Sequence, residues 1–288
     1  MRLLLLFCSV ISLALSASTL IRVASPQSRL EVSNAYYLDL LRLVLQKTAD
    51  DFGPADIQLV PVPESGSLWK LVRNNHRLDV HWLTPTADID QQLRVVPATV
   101  LYGGLGLRGM MIRSHQAEEF SQIKTLADLR RFTACQGEQW PDVQVLQQAG
   151  LKVHRVQHFE SMLDMLLRGR CDYFPRSVIE GEIELNHQPL HYSGLSFFTA
   201  VLLYYPLPVH FYVEQTDTRL ARRLEQGLRQ MHESGELLSF MQHHPVTRHL
   251  FESGRYSQSV VLQLDNPVLP ASYQDNQFQF WKSILSVK

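Results

Sequence analysis

Over residues 35–49, AYYLDLLRLVLQKTA, the positions Tyr37, Leu38, Leu41, Val44 and Leu45 recur at helical spacing with polar residues between them, which predicts an amphipathic helix. Apolar runs at 20–24 and 56–62 flank it and read as strands. A helix over 67–75, started by Ser65 or Ser67, and a strand over 78–82 continue the alternation. Such β-α-β-α-β order implies parallel strands joined by right-handed crossovers, with helices on both faces of the sheet. The pattern returns later: a strand at 132–136, a helix at 141–148 closed by Gly150, a strand at 152–157, a helix at 160–167 and a strand at 171–175 that Pro175 ends. Between the two units, residues 95–112 (VVPATVLYGGLGLRGMMI) set four glycines among strand formers and predict a strand crossing from one lobe to the other. Residues 200–213 predict the return strand, and 217–233 and 235–243 two helices. Beyond Phe251 no period is visible, so the tail is expected to wrap the surface with Trp281 as an anchor.

Composition changes this picture little: 45% hydrophobic and 19% charged residues in 288 suit a globular chain of one large or two small domains. Twenty-seven basic residues against 28 acidic ones give a net charge of -1, which argues against a nucleic-acid partner. The N-terminus adds more. A short basic start, the apolar run LLLLFCSVISLAL and the small residues Ser16, Ala17 and Ser18 describe a cleavable signal peptide over 1–18, hence export. No later segment approaches the roughly 18 apolar residues of a membrane span. Export would leave Cys135 and Cys171, which can be read as a disulfide of an oxidising compartment or as two free buried thiols; their apolar, strand-like surroundings favour the second.

Four stretches carry a resemblance: LDVHWLTPT, GLGLRGMMI, CDYFPRSVIEGE and RLARRLEQGLRQMHESGELLSFMQ. Together with the two repeated units, the glycine-bearing crossover and the C-terminal helix pair, the chain from about Leu20 to His244 resembles the type II periplasmic solute-binding proteins, family 3, typified by polar amino-acid receptors. The resemblance implies a two-lobed α/β fold joined by a two-strand hinge, with bending expected at 102–108 and near 206–213. Lobe one is expected at 19–105 and 209–288, and lobe two at 106–208. It also implies a small polar solute held between the lobes, and a membrane permease or sensor protein as partner. The family's arginine for a ligand α-carboxylate falls at Asp90, with Arg94 four residues on. Its carboxylate for the α-ammonium falls at Ser177. The amino-acid clamp is thus replaced, and Arg176 points to an anionic or sugar-like ligand.

The candidate ligand contacts follow from position. In open α/β sheets ligands bind outside the carboxyl ends of the strands. That places Trp82, Thr84 and Thr86 at the end of the first unit, and Gln139, Trp140, Arg176 and Ser177 at the ends of strands in the second. For Arg176 the competing reading is an internal salt bridge to Glu180 or Glu182; for Trp82, a core position. Glu64 could bind a cation or simply be solvated. His243, His244 and His249 form the densest histidine set, but neighbours about 100° apart on a helix do not converge on a metal. No nucleophile elbow or paired-carboxylate motif marks an enzyme, and no cofactor motif is present. The expected function is capture of a solute for an ABC-type transporter, as a monomer. A sensory or adaptor module on the same fold is the alternative, and an enzyme on this scaffold the less favoured one.

Overall fold

A computed structural model describes residues 18–26, 33–62, 68–73, 77–138, 140–252, 254–273 and 281. The body of the signal peptide, Glu64, both candidate serine caps and Gln139 lie outside the described residues. The strands are β1 (Thr19–Ala24), β2 (Ala55–Val60), β3 (Val80–Leu83), β4 (Leu93–Thr99), β5 (Leu107–Arg113), β6 (Thr133–Gly137), β7 (Lys152–Val156), β8 (Tyr173–Ser177), β9 (Leu195–Tyr204), β10 (His210–Glu214) and β11 (Val260–Gln263).

In the first lobe β1 and β2 pair in parallel, while β10 lies between β3 and β4 and runs antiparallel to both. Arg22 on β1 joins the two groups: its carbonyl accepts from the Asp79 N–H, and its guanidinium grips the Asp79 carboxylate at 2.6–3.0 Å. The helix Ser33–Lys47 buries Tyr36, Tyr37, Leu40, Leu41, Val44 and Leu45, as its spacing demanded. The helix Thr218–Glu233 sets Leu224, Leu228 and Met231 into the same core.

The second lobe is one six-stranded sheet in the order β11-β9-β5-β8-β6-β7, with an apolar core on each face. Strands β8, β6 and β7 are mutually parallel, as the β-α alternation requires, whereas the crossing strand β5 runs antiparallel to both of its neighbours. Two readings are corrected here. Pro175 does not end its strand; β8 runs on to Ser177, with Pro175 opposite Met110. Beyond Tyr173 the strand is paired only on its β5 side, where a residue without an N–H is tolerated. The two cysteines are joined, Cys135 of β6 to Cys171 just before β8, so the apolar surroundings hold a disulfide and not two thiols.

Each crossing between the lobes is broken, not continuous. The segment read as one strand over 95–112 turns at Tyr102 and Gly103, both left-handed (φ 48° and 73°), before a short 3-10 turn leads into β5. A side chain at Tyr102 in that region is strained, and it persists because its surroundings hold it. Its carbonyl accepts from the Trp281 indole at 2.7 Å, and that indole packs so closely on Gly104 that a Cβ there would lie 2.6 Å away. The return segment likewise splits into β9 and β10 around Pro206. The two crossings are bonded to one another, Val100 N–H to Val209 C=O at 3.1 Å and Tyr205 N–H to Gly106 C=O at 3.2 Å.

The tail does more than wrap the first lobe, to which 209–288 was assigned. It adds β11 in parallel to β9 of the second sheet. Asn266 then donates to the Pro206 carbonyl at 2.7 Å, and Tyr273 packs edge-on against His210 of β10. Trp281, fully buried, fulfils the anchoring role read from the sequence.

Candidate functional site

On the first lobe, Tyr37 and Trp82 stack with ring centroids 4.9 Å apart and planes 18° from parallel. One comes from the helix Ser33–Lys47 and the other from β3, so the helix packing that buries Tyr37 also fixes the face of the indole. The Tyr37 hydroxyl is buried and has no hydrogen-bond partner among the described residues. Burial raises the phenol's pKa well above its usual value, and Glu180 raises it further while Arg108 and Arg176 oppose. A lobe-one hydroxyl therefore feels charges that stand on lobe two.

Those charges form a compact network. Arg108, the second residue of strand β5, pairs with Asp142 at 2.7 Å, and its Nε donates to the Tyr205 hydroxyl at 3.1 Å. That hydroxyl in turn donates to Asp142 at 2.5 Å. On the adjacent strand β8, Arg176 grips both oxygens of Glu184 and reaches Glu180 at 3.1 Å. Burial works against the Arg176 cation, but Glu180 and Glu184 outweigh it and raise its pKa above the ordinary value. For Glu184 burial is the larger influence and raises the carboxyl, with Arg176 pulling it down. Trp140 lies over Arg176, with the guanidinium carbon 5.0 Å from the ring centroid. Gly137 makes that position possible, because a Cβ there would come within 2.7 Å of the indole.

The residues read from the sequence thus divide. Trp82 stacks on Tyr37 of lobe one, Trp140 covers Arg176 of lobe two, and the Arg176 charge acts on the Tyr37 hydroxyl. Arg176 is engaged within the chain, by Glu184 and Glu180; of the two internal partners considered, Glu180 is used and Glu182 instead pairs with Arg255. Ser177 is fully buried at the hinge, its hydroxyl donating to Gly104 C=O at 3.4 Å and accepting from Ile179 N–H. Thr86 caps the helix Ala87–Gln92, accepting from Ile89 N–H at 3.2 Å. Thr84 is half-buried in the loop between Trp82 and that cap. Asp90 accepts from the Tyr212 hydroxyl at 2.6 Å, and Arg94 turns away to the Gln215 carbonyl. No metal-binding group of His, Cys, Asp and Glu is present among the described residues. His249 Nε2 donates to the Val178 carbonyl at 2.8 Å, whereas His243 Nδ1 donates to the Ser239 carbonyl of its own helix.

Tyr37, Arg108, Asp142 and Glu184 were not among the candidate contacts read from the sequence. Tyr37 reads as one more apolar position of its helix. Arg108 did leave a signal, a lone charge inside the strand-forming run GLGLRGMMI, which a buried strand tolerates only with a partner.

Next to Trp82, His81 is buried and its Nδ1 has no partner among the described residues. Burial lowers its pKa from 6.5 to about 4. A histidine kept neutral by folding takes up its proton first in the unfolded chain, so stability is full above the unfolded value and falls as pH drops from about 6.5 toward 4. Between pH 7 and pH 4.5 the expected loss from this group is about 2–3 kcal/mol. Urea midpoints of the natural protein and of His81→Leu at both pH values measure it; an equal pH response in both proteins would contradict it.

No protein-family model and no curated protein sequence matches the chain. Solved structures do. An arginine-specific periplasmic binding protein of Salmonella typhimurium aligns at a TM-score of 0.55 with 12% identity, over 78% of this chain and 98% of its own. A structure from glutathione import in Streptococcus mutans, by GshT and the cystine ABC importer TcyBC, aligns at 0.56 with 13% identity, over 78% and 94%. A histidine kinase sensor domain similar to periplasmic binding proteins aligns at 0.51 with 14% identity, over 77% and 93%. At these identities the likeness is one of fold, and it is the likeness the sequence motifs implied. The chain has the two-lobed α/β architecture of the type II periplasmic solute-binding proteins.

Proposed function

We propose that the protein is exported, folds as a monomer in an oxidising compartment such as the periplasm, and captures a small polar solute between its lobes. What supports this reading is the stacked pair Tyr37–Trp82 on lobe one and, on lobe two, the charged network under Trp140 whose charges act on the Tyr37 hydroxyl, together with two crossings whose turns can absorb a bend. The ligand-facing set is Tyr37, Trp82, Thr84, Trp140 and Glu180, with Arg176 and Arg108 holding the floor. Thr86 and Ser177 act, on this reading, by holding the backbone at the site's edge. The disulfide fits an extracytoplasmic setting. Among the described residues no helix is long and apolar enough to cross a membrane.

Closure would be stabilised when a solute bridges both lobes, because only then does binding favour the closed form over the open one. A closed surface is what a permease of the ABC type, or a membrane sensor, would read. The sensor-domain neighbour supports the second of these partners, and the two share the same binding step. On this reading the cleft binds without turnover, in keeping with Asp142, Glu180 and Glu184 being held by arginines.

A thermal-shift screen of the protein without residues 1–18 tests this against amino acids, amines, organic acids, sugars and phosphate compounds. A true ligand at a hundredfold excess over its Kd adds about 2.7 kcal/mol of stability. A saturable rise with one chemical class is expected, and no rise with any class would contradict the reading.

A further inference from the structure

Three carboxylates, Asp142, Glu180 and Glu184, face two guanidiniums, Arg108 and Arg176, in a region nearly withdrawn from water. Both guanidiniums are already engaged: Arg108 by Asp142, and Arg176 by both oxygens of Glu184 and by Glu180. An anionic ligand gripped by either arginine would have to displace one of these carboxylates and leave it buried beside others, which is strongly unfavourable. The balance of the cleft lacks a positive charge, not a negative one. Glu180 is the carboxylate with the weakest hold; no side chain besides Arg176 donates to it among the described residues. On the other lobe the Tyr37 hydroxyl is buried with no hydrogen-bond partner among the described residues, and the Glu180 charge acts on it. A buried hydroxyl without such a partner can accept one hydrogen bond and donate another.

We infer that the cleft takes an organic amine, its ammonium group held between Glu180 and the Tyr37 hydroxyl beside the Trp82 and Trp140 rings, with no ligand carboxylate gripped by Arg108 or Arg176. This rests on the reading of the chain as a solute-binding protein and goes beyond it in the class of solute. The rings suit such a guest, because an aromatic face attracts a desolvated cation. Position 90 agrees with this reading. Where amino-acid receptors of the resembling family keep an arginine for the ligand carboxylate, this chain has Asp90, fastened to Tyr212.

The test is a calorimetric titration with amines paired to their parent amino acids: cadaverine and lysine, agmatine and arginine, putrescine and ornithine, tyramine and tyrosine, together with glutarate and succinate as anions. At least one amine is expected to bind at least about tenfold more tightly than its parent amino acid, since the added carboxylate meets no free cation. Neither anion should bind. Tyr37→Phe removes a hydroxyl that no described residue bonds, so it should fold as the natural protein does and weaken the amine by about tenfold or more, and Glu180→Gln by about ten- to a hundredfold. A parent amino acid or an anion binding more tightly than the amines would overturn the inference and leave solute capture standing. No binding by any compound would overturn both. Unchanged amine affinity in Tyr37→Phe would remove the hydroxyl from the site and, with it, the assigned position of the ammonium.

Discussion

Reduction of the Cys135–Cys171 disulfide is expected to lower the free energy of unfolding by about 4 kcal/mol, the chain-entropy value for a closed loop of 36 residues. The bond joins β6 to the entry of β8, so it holds the two strands whose far ends carry Gly137 and Arg176. Without it, the strand pair keeps its packing, since Met111, Leu163, Leu166 and Phe174 bury the same face. The loss should therefore show in global stability more than in local structure. Denaturant titrations with and without a reductant, and on Cys135→Ala/Cys171→Ala, measure it. A midpoint that does not move in either comparison would contradict the estimate. The result also bears on where the protein works, because a bond worth this much is kept only where thiols are oxidised.

A second large effect is expected from Arg176→Ala. That side chain neutralises Glu184 and Glu180, both buried, and its removal leaves two carboxylates in a low-dielectric setting without a cation. Breaking a buried pair in this way costs about 3–5 kcal/mol, whereas replacing all charged partners by uncharged ones of similar size is often close to neutral. The triple change Arg176→Met/Glu180→Gln/Glu184→Leu should then recover most of the stability lost by the single change. Denaturant midpoints of the two variants decide the matter. If Arg176→Ala were as stable as the natural protein, the network would not be the buried, mutually neutralised group described above.

Much of the fold was legible because it rests on periodicity. The helix around Tyr37–Leu45 and the strands at either side of it are written in spacing alone, and so is the repeated unit read as ending at Pro175. What was missed depends on contacts between distant segments. Pro175 is a strand breaker in most settings, and only its place beside β5, with no β6 partner past Tyr173, lets the strand continue. The crossover read as one strand is divided at Tyr102 because a turn there is stabilised from outside, by Trp281, which is 179 residues away in sequence. The short strand β11 has no amphipathic pattern to announce it; it forms because β9 offers an edge.

The candidate site was legible in outline and not in its wiring. Trp82, Trp140 and Arg176 follow from the rule that ligands gather at strand carboxyl ends; in the structure Trp82 stacks on Tyr37, and Trp140 covers Arg176. Which ion grips Arg176 could not be read from spacing, since Glu180, Glu182 and Glu184 all lie within reach along the chain. The helix Gly181–Asn186 decides it by turning Glu184 inward and Glu182 toward Arg255. The anionic ligand expected from Arg176 loses its basis once that guanidinium is engaged. Tyr37 was hidden by its own hydrophobicity: its ring satisfies the helix pattern, and its hydroxyl matters only because lobe two faces it.

The central claim, that a solute is held by both lobes at once, is tested most directly by titrating the best solute from the screen into Trp82→Ala and Trp140→Ala side by side. One residue stands on each lobe. The account expects both variants to lose affinity by about tenfold or more, as truncation of a buried aromatic anchor does. A solute whose affinity is unchanged in both variants would bind elsewhere, and the cleft between the lobes would not be its site.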